Sequence, residues 1–244
     1  MKAMILAAGL GTRLRPLTND RPKALVEIAG RTLLEITLER LRAFGIRDVI
    51  VNVHHFADMM VEYLKANDNF GMNIAISEEP DLLDTGGGLK KASWFFRDEK
   101  EPFLLHNVDV ISDIDFSRML QWHSQHATLA TLAVQDRETS RYLLFDENLQ
   151  LCGRRAGRDG ANELARSCAN PLAFAFSGIH VISPELLPKI TEEGCFSIIT
   201  TYLRLASQGQ PIGAFRADEY RWRDMGKPES IARAAEELRR ESSV

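Results

Sequence analysis

The stretch Leu6-Ala7-Ala8-Gly9-Leu10-Gly11-Thr12-Arg13-Leu14-Arg15-Pro16-Leu17-Thr18, followed by Arg21-Pro22-Lys23, decides how this chain is interpreted. An apolar run ends in two glycines that are separated by one residue, and several cations come directly after them. Glycines let backbone N–H groups approach a ligand closely, and such groups form an anion site together with cations. The pattern predicts a buried strand that leads into a polyphosphate-binding loop. The alternative is a tight turn with solvated cations, here Arg13, Arg15, Arg21 and Lys23.

Two common phosphate-binding patterns are excluded. The dinucleotide pattern G-x-G-x-x-G fails because Leu14 stands where the third glycine belongs. The Walker pattern fails because no Gly-Lys-Ser/Thr follows the glycines. The loop therefore belongs to another class of anion site, if it is one.

Length and composition set the broad class. The chain has 244 residues, 45% of them hydrophobic and 26% charged, which is ordinary for a globular protein and enough for one α/β domain over residues 1–244. The net charge of -4 argues against a general nucleic-acid surface. Three cysteines without C-x-x-C spacing fit a reducing compartment. We expect a cytoplasmic protein with no nucleic-acid and no membrane partner, since no signal-peptide layout or membrane-length apolar run is present.

Strand-length apolar runs alternate with helix-period segments through the first half. Thr32 and Glu35 form a capping box at the start of one helix, and Gly45 stands where that helix ends. The alternation predicts a Rossmann-like α/β fold, with a mainly parallel central sheet and helices on both faces. Strands are expected at residues 2–8, 46–53, 72–77, 102–107, 127–134 and 173–182, and helices at residues 57–66, 88–96 and 116–125.

The remaining segments are less regular. Residues 153–170 contain several arginines and few apolar side chains, so we expect an exposed loop there. Pro228 begins a terminal helix, which has room to pack either on its own domain or on a second copy of the chain in a homodimer.

Ligands of open α/β sheets bind beyond the carboxyl ends of the strands. This rule brings four loops together: residues 9–23, 78–88, 107–109 and 222–226. Asp109 follows an apolar strand and Asp224 precedes a helix, so each carboxylate either caps a turn or binds a hard cation such as Mg²⁺.

Two glycine-containing segments have open interpretations. Thr85-Gly86-Gly87-Gly88 is expected to be a turn before a helix, either a flexible surface turn or bare backbone for a flat base. Ser177-Gly178 lies inside a strand, where a glycine marks either a bulge or the close approach of a ligand.

Taken together, these segments resemble the sugar-1-phosphate nucleotidyltransferase family. Residues 7–14 match its signature Ala-Ala-Gly-x-Gly-Thr-Arg-Leu, and Pro-x-Thr and Pro-Lys follow. Residues 222–229 look like its Trp-x-Asp-x-Gly-x-Pro-Glu. Asn107 and Asp109 match its Asn-Gly-Asp, although Val108 replaces the glycine. The short chain most resembles the uridylyl- and guanylyltransferases that act on N-acetylmuramate, mannose or heptose 1-phosphates.

The resemblance implies the nucleotide-diphospho-sugar transferase fold and Mg²⁺-dependent transfer from a nucleoside triphosphate to a sugar-1-phosphate. It implies metal binding by Asp109 and Asp224, and catalytic roles for Arg13 on the leaving pyrophosphate and Lys23 on the α-phosphate. It also implies that Ser177 and Gly178 bind the sugar. The nucleotide-binding residues would be Ala7, Ala8, Gly9, Gly11, Thr12, Arg13, Glu79, Thr85, Gly86, Gly87 and Asn107.

The substrates stay open at this point. The carboxylate of Glu79 accepts hydrogen bonds from uracil or from guanine, so UTP and GTP are both consistent with it. A phosphocholine-type cytidylyltransferase is one alternative, and a non-catalytic nucleotide-binding regulatory module on the same fold is another.

Overall fold

The computed structural model describes residues 1–241, with side chains for residues 1–236. The helices are α1 (Leu33–Ala43), α2 (Ala57–Ala66), α3 (Asp84–Ala92), α4 (Phe116–Gln125), α5 (Ile198–Ser207) and α6 (Pro228–Glu241). The strands are β1 (Lys2–Leu6), β2 (Glu27–Ile28), β3 (Arg31–Thr32), β4 (Asp48–Val53), β5 (Asn73–Glu78), β6 (Phe103–Asn107), β7 (Val110–Ser112), β8 (Ala130–Gln135), β9 (Arg141–Phe145), β10 (Leu151–Ala156), β11 (Asn162–Leu164), β12 (Leu172–Ile182), β13 (Ile212–Arg216) and β14 (Trp222–Asp224).

The chain divides into two compact units. Unit one contains Met1 and residues 83–105 and 114–221, and unit two contains residues 2–82, 106–113 and the described part of the chain from Trp222. The expectation of one domain over residues 1–244 stays a prediction.

Unit two is built on parallel strands. β1 pairs with β4 and β4 with β5, both in parallel, so that Leu6 lies opposite Asn52 and Val53 opposite Glu78. The β1 residues Ala3, Met4 and Ile5 are fully buried, as are Val49, Ile50 and Val51 of β4. Continuous apolar runs of this kind are typical of parallel strands that are covered on both faces. Because the strands are parallel, their carboxyl ends lie at one edge.

The helix ends in the first half follow local side-chain chemistry. Thr32 Oγ1 accepts a hydrogen bond from Glu35 N at 3.1 Å, which confirms the predicted cap of α1. Beyond the other end, Gly45 has φ 76° and donates to Arg42 O at 2.9 Å. Asp115 Oδ1 accepts from Ser117 N and Arg118 N, which confirms it as the N-cap of α4.

Unit one is mostly antiparallel. Six of its strands pair in the order β11, β10, β9, β12, β8, β13. Of these five pairs, β8–β13 is parallel and the other four are antiparallel. The expected loop at residues 153–170 was wrong in part, because the end of β10 and all of β11 lie within it. Arg154 Nε donates to Glu163 Oε2 at 2.6 Å across this pair, and β11 is exposed throughout. Polar edge strands of this kind lack the apolar alternation by which strands are recognised.

The terminal helix packs within its own unit. α6 contacts β2, and Ile231 and Ala234 are buried. This is the first of the two arrangements that the sequence left open. Among the residues that the structure describes, no helix is both long enough and apolar enough to span a bilayer.

Candidate active site

The first loop folds back on itself after β1. Gly11 adopts φ 63°, and its carbonyl accepts from Leu14 N and from Thr18 Oγ1, each at 2.9 Å. A Cβ at Gly11 would lie 3.0 Å from Thr18 Cγ2 and 3.1 Å from Lys23 Cβ. Leu14 is fully buried and anchors the loop, whereas Thr12 and Arg13 are exposed. The loop therefore presents Thr12 and Arg13 outward and draws Lys23 inward.

Lys23 forms an ion pair with Asp109. Lys23 Nζ donates to Asp109 Oδ2, and the two side chains are 11% and 20% exposed, respectively. Asp109 lies between β6 and β7, and the preceding residue, Val108, donates its N–H to Leu6 O at 3.1 Å. This bond fixes the turn to the end of β1. Val108 is 4% exposed, so the side chain that replaces the family's glycine packs into the core of unit two.

Asp224 is held beside Asp109 by a short antiparallel pair. In the register of β14 and β7, Asp224 lies opposite Val110, and Met225 N donates to Asp109 O at 2.8 Å. Asp224 Oδ1 accepts from Gly226 N at 2.7 Å. The backbone thus holds Asp224, at the end of β14, next to the turn that carries Asp109.

Arg13 completes this cluster. A Cβ at Gly226 would lie 2.7 Å from Arg13 Nη2 and 2.7 Å from Asp224 Oδ1. Both side chains occupy the space that glycine leaves free. The structure therefore brings together Arg13, Lys23, Asp109 and Asp224, four residues whose catalytic and metal-binding roles stay predictions.

Asn107 ends β6 next to a buried histidine. His106 Nδ1 lies 2.8 Å from Asn107 O, and because a carbonyl only accepts, Nδ1 carries the proton. Burial lowers the pKa of His106 to about 4, so the ring is neutral at pH 7. The hydrogen bond fixes the backbone carbonyl of Asn107 close to the Asp109 turn.

Glu79 is buried rather than displayed. Its side chain is 1% exposed, and Oε1 accepts from Asn52 Nδ2 at 2.7 Å. Asn52 Oδ1 in turn accepts from Ala7 N at 2.7 Å. Sequence reasoning missed Asn52. The available signal was a polar residue inside the apolar run of β4, because a buried polar side chain requires a hydrogen-bond partner.

The glycine-rich segment belongs to unit one and is helical. The prediction of a turn before the helix was wrong, because α3 begins at Asp84 and includes Thr85, Gly86 and Gly87. A Cβ at Gly86 would lie 2.3 Å from Phe196 Cε2, and one at Gly87 would lie 2.4 Å from Gly194 O. These glycines are therefore needed for internal packing. Their role in nucleobase recognition stays a prediction.

Hydrogen bonds complete the contact of this helix with Phe196 and with the first residue of α5. Gly86 N donates to Phe196 O at 2.9 Å, and Thr85 Oγ1 accepts from Ile198 N at 3.0 Å.

Ser177 and Gly178 form a buried irregularity in β12. Gly178 has φ 74°, and the pairing of β12 with β8 shifts register between Phe176 and His180. Arg137 Nη2 donates to Phe176 O at 2.8 Å beside this bulge, a contact that the sequence did not indicate. The bulge is present, and the sugar-binding role of Ser177 and Gly178 stays a prediction.

The carboxylate pair suits one hard cation. Among the described residues, no group of three or more His, Cys, Asp or Glu side chains gathers in a way that could hold a metal. Mg²⁺ commonly takes one or two carboxylates together with water and substrate phosphates. Within the described part of the chain, Asp109 Oδ1 and Asp224 Oδ2 have no hydrogen-bond partner. Asp109 and Asp224 therefore fit the donor set for Mg²⁺.

Similarity to known proteins shows the class to which this chain belongs. The nucleotidyl transferase family matches residues 2–147, so the chain belongs to this family and is a transferase of the nucleotidyl-transferring class. A solved structure, HddC from Yersinia pseudotuberculosis complexed with GMP-PN, has the same α/β fold. It aligns with a TM-score of 0.77 and 21% identity over 97% of this chain and 99% of HddC.

Two relatives with assigned activities are similar along nearly the whole chain. N-acetylmuramate alpha-1-phosphate uridylyltransferase of Caulobacter vibrioides is 37% identical over 239 residues, which cover 93% of each protein. Mannose-1-phosphate guanyltransferase of Yarrowia lipolytica is 31% identical over 95% of this chain. The chain spans only 62% of the length of that guanyltransferase.

Proposed function

We propose that this protein joins a nucleoside triphosphate and a sugar-1-phosphate to give a nucleotide-diphospho-sugar and pyrophosphate. An oxygen of the sugar phosphate attacks the α-phosphorus of the nucleotide. The bond from that phosphorus to the oxygen of the β-phosphate breaks, and pyrophosphate leaves. The observation that carries the proposal is the clustering of Arg13, Lys23, Asp109 and Asp224 within unit two. The names of the relatives support the same reaction class.

Both reactants are anions, so the side chains act mainly by positioning and by neutralising charge. Arg13 is exposed next to Gly226, and we assign it to the phosphates that leave as pyrophosphate. Lys23 is held at Asp109, and we assign it to the α-phosphate. Asp109 and Asp224 would hold Mg²⁺, which supplies positive charge to the phosphate oxygens when it is bound.

The candidate nucleotides are UTP and GTP. One relative is named as a uridylyltransferase and the other as a guanyltransferase, and the uridylyltransferase matches over almost its full length. We therefore place UTP with an amino-sugar 1-phosphate first and GTP with mannose 1-phosphate second. We place the reaction in the cytoplasm. A homodimer is compatible with the proposal.

One matrix of assays tests the reaction and its substrates. Four nucleoside triphosphates are combined with a panel of sugar-1-phosphates and with phosphocholine, and pyrophosphate release is measured with Mg²⁺ and with a chelator. Release with a sugar-1-phosphate supports the proposal. Release with CTP and phosphocholine alone identifies the cytidylyltransferase alternative. Nucleotide binding without release from any pair identifies the regulatory module.

Two variants test the assigned roles. We expect Lys23→Ala and Asp109→Asn each to lower kcat by about 100- to 1000-fold, which is typical for the loss of one charge-stabilising contact. Lys65→Ala and Asp58→Asn, at exposed positions of α2, are matched controls and should keep wild-type activity. Near-normal release by either site variant contradicts its role.

A further inference from the structure

The ends of the three parallel strands of unit two are joined by one buried side chain. Asn52 is 2% exposed and lies one residue before the end of β4. Its Oδ1 accepts from Ala7 N, just beyond β1, and its Nδ2 donates to Glu79 Oε1, just beyond β5, each at 2.7 Å. The backbone reinforces the second contact, because Glu79 N donates to Val53 O at 2.7 Å.

The chemistry of the two partners explains why asparagine stands here. The Ala7 amide is a donor and requires an oxygen, whereas the Glu79 carboxylate is an acceptor and requires an N–H. An asparagine side chain provides both on one carbon atom. Aspartate provides only oxygens, and it would bring a second negative charge against Glu79. The orientation of the Asn52 amide is thus set by its partners.

We propose that Asn52 is a positioning residue for the nucleotide, and that Glu79 acts through Asn52 rather than by touching the nucleobase. The proposal rests on the proposed function, in which residues 7–13 bind the nucleoside triphosphate. Glu79 is 1% exposed, so its carboxylate is directed at the interior and not at solvent. The hydrogen bonds Glu79–Asn52 and Asn52–Ala7, which we call the brace, fix the point where β1 becomes the phosphate-binding loop.

The brace also limits what Ala7 does. Its N–H is taken by Asn52, so a nucleotide contact at Ala7 comes from the carbonyl or the methyl group. The next backbone N–H groups that can approach phosphate are those of Ala8 and Gly9. Their direction depends on Ala7, and small errors in position at a reacting centre cost about 100-fold in rate.

The test exchanges the two hydrogen-bonding partners. Asn52→Asp alone places two carboxylates together, and we expect the Kd and KM for the nucleotide to rise, with kcat/KM about 10- to 100-fold lower. The double variant Asn52→Asp/Glu79→Gln lets the new glutamine donate to the new aspartate, which still accepts from Ala7 N. If kcat/KM falls 100-fold in Asn52→Asp, we expect kcat/KM of the double variant to be at least tenfold higher than that of Asn52→Asp. Glu79→Gln alone should leave the ratio of kcat/KM for UTP and GTP unchanged.

A control variant distinguishes the effect of breaking the brace from the effect of replacing any hydrogen-bonded asparagine by aspartate. Asn73 Nδ2 donates to Asp48 Oδ1 at 2.9 Å in an exposed position, and Asn73→Asp should leave nucleotide affinity unchanged. Calorimetric titration with each of UTP, GTP, ATP and CTP, together with melting temperatures, shows whether the variants are folded and bind.

The outcomes for the two proposals are distinct. Failure of the wild type to release pyrophosphate overturns the proposed reaction, while the Kd values still test the brace. Wild-type affinity in Asn52→Asp, absence of rescue in the folded double variant, altered selectivity in Glu79→Gln, or absence of binding by the wild type overturns the brace.

Discussion

The ion pair between Lys23 and Asp109 gives a prediction that combines stability with metal binding. Lys23→Met keeps an unbranched side chain and removes the charge, which leaves Asp109 without its partner. Removing one member of a buried pair costs about 3–5 kcal/mol, and a surface pair contributes about 0–1 kcal/mol. The side chains are 11% and 20% exposed, which places this pair between the two cases. We expect unfolding to become easier by about 2 kcal/mol, which lowers Tm by about 4–8 °C in a chain of this size.

A double-mutant cycle tests whether this loss comes from the pair. Asp109→Asn leaves Lys23 without its partner and should destabilise the protein by a similar amount. In Lys23→Met/Asp109→Asn neither charge is left alone, so we expect the combined loss to be at least about 1 kcal/mol smaller than the two single losses together. Urea unfolding measures all four proteins. Asp20→Asn, which removes the exposed pair with Arg21, is the control and should cause no measurable change.

Mg²⁺ adds a second readout to the same cycle. With Lys23 replaced, the Asp109 carboxylate carries an uncompensated charge, and we expect Mg²⁺ to bind more tightly than in the wild type. If Lys23→Met binds Mg²⁺ tenfold more tightly than the wild type, saturating Mg²⁺ raises its unfolding free energy by about 1.4 kcal/mol more than it raises that of the wild type. The Asp109→Asn protein should lack this gain. Additive losses in urea, or the same Mg²⁺ effect in all four proteins, would refute the reasoning.

Three further predictions concern packing, protonation and thiol reactivity. Gly86→Ala places a methyl group 2.3 Å from the Phe196 ring, and urea unfolding should show a loss of about 1–3 kcal/mol. Burial lowers the pKa of His123 to about 4, so the unfolded chain takes up a proton first as the pH falls below 6.5. Stability is therefore lost between pH 6.5 and 4, and His123→Gln should flatten this dependence in urea titrations. Cys195 is exposed and should react with maleimide in the native state, whereas burial raises the pKa of Cys152 to about 12 and should protect it until the protein unfolds, as mass spectrometry can show.

The part of the site that could be predicted is the part that short stretches of sequence indicate by their order of apolar, glycine and charged residues. The apolar β1 followed by glycines and cations indicates an anion-binding loop, and the rule for sheet edges places Asp109 beside it. The contact of Lys23 with Asp109 joins residues 86 positions apart. The sequence predicted that their loops lie at one edge of the sheet, but it did not predict the ion pair. The same rule brought the loop 222–226 to this edge, and the family motif supplied the metal-binding role of Asp224. The pairing of β14 with β7, which holds Asp224 next to Asp109, was not predicted.

The unpredicted part depends on tertiary contacts. Three consecutive glycines have poor helix propensity, yet Gly86–Gly88 lie inside α3, because the segment around Phe196 packs where side chains would otherwise stand. Asn52 is one polar residue in an apolar strand, and its partners are 45 and 27 positions away. The sequence gives no means of choosing those partners before the strand order is known.

The two glycines of the first loop differ in how strongly the fold requires them, and this difference gives a prediction about nucleotide binding. At Gly11 a side chain meets Thr18 and Lys23, and φ is 63°, so the fold itself explains the glycine. At Gly9 no described atom lies within 4 Å of an added Cβ. Because the folded chain does not require glycine at residue 9, we attribute its absence of a side chain to the approach of the nucleotide. Gly9→Ala should therefore keep the wild-type Tm and raise the KM for the nucleoside triphosphate, whereas Gly11→Ala should lower Tm. Wild-type kinetics in the Gly9 variant would contradict this assignment.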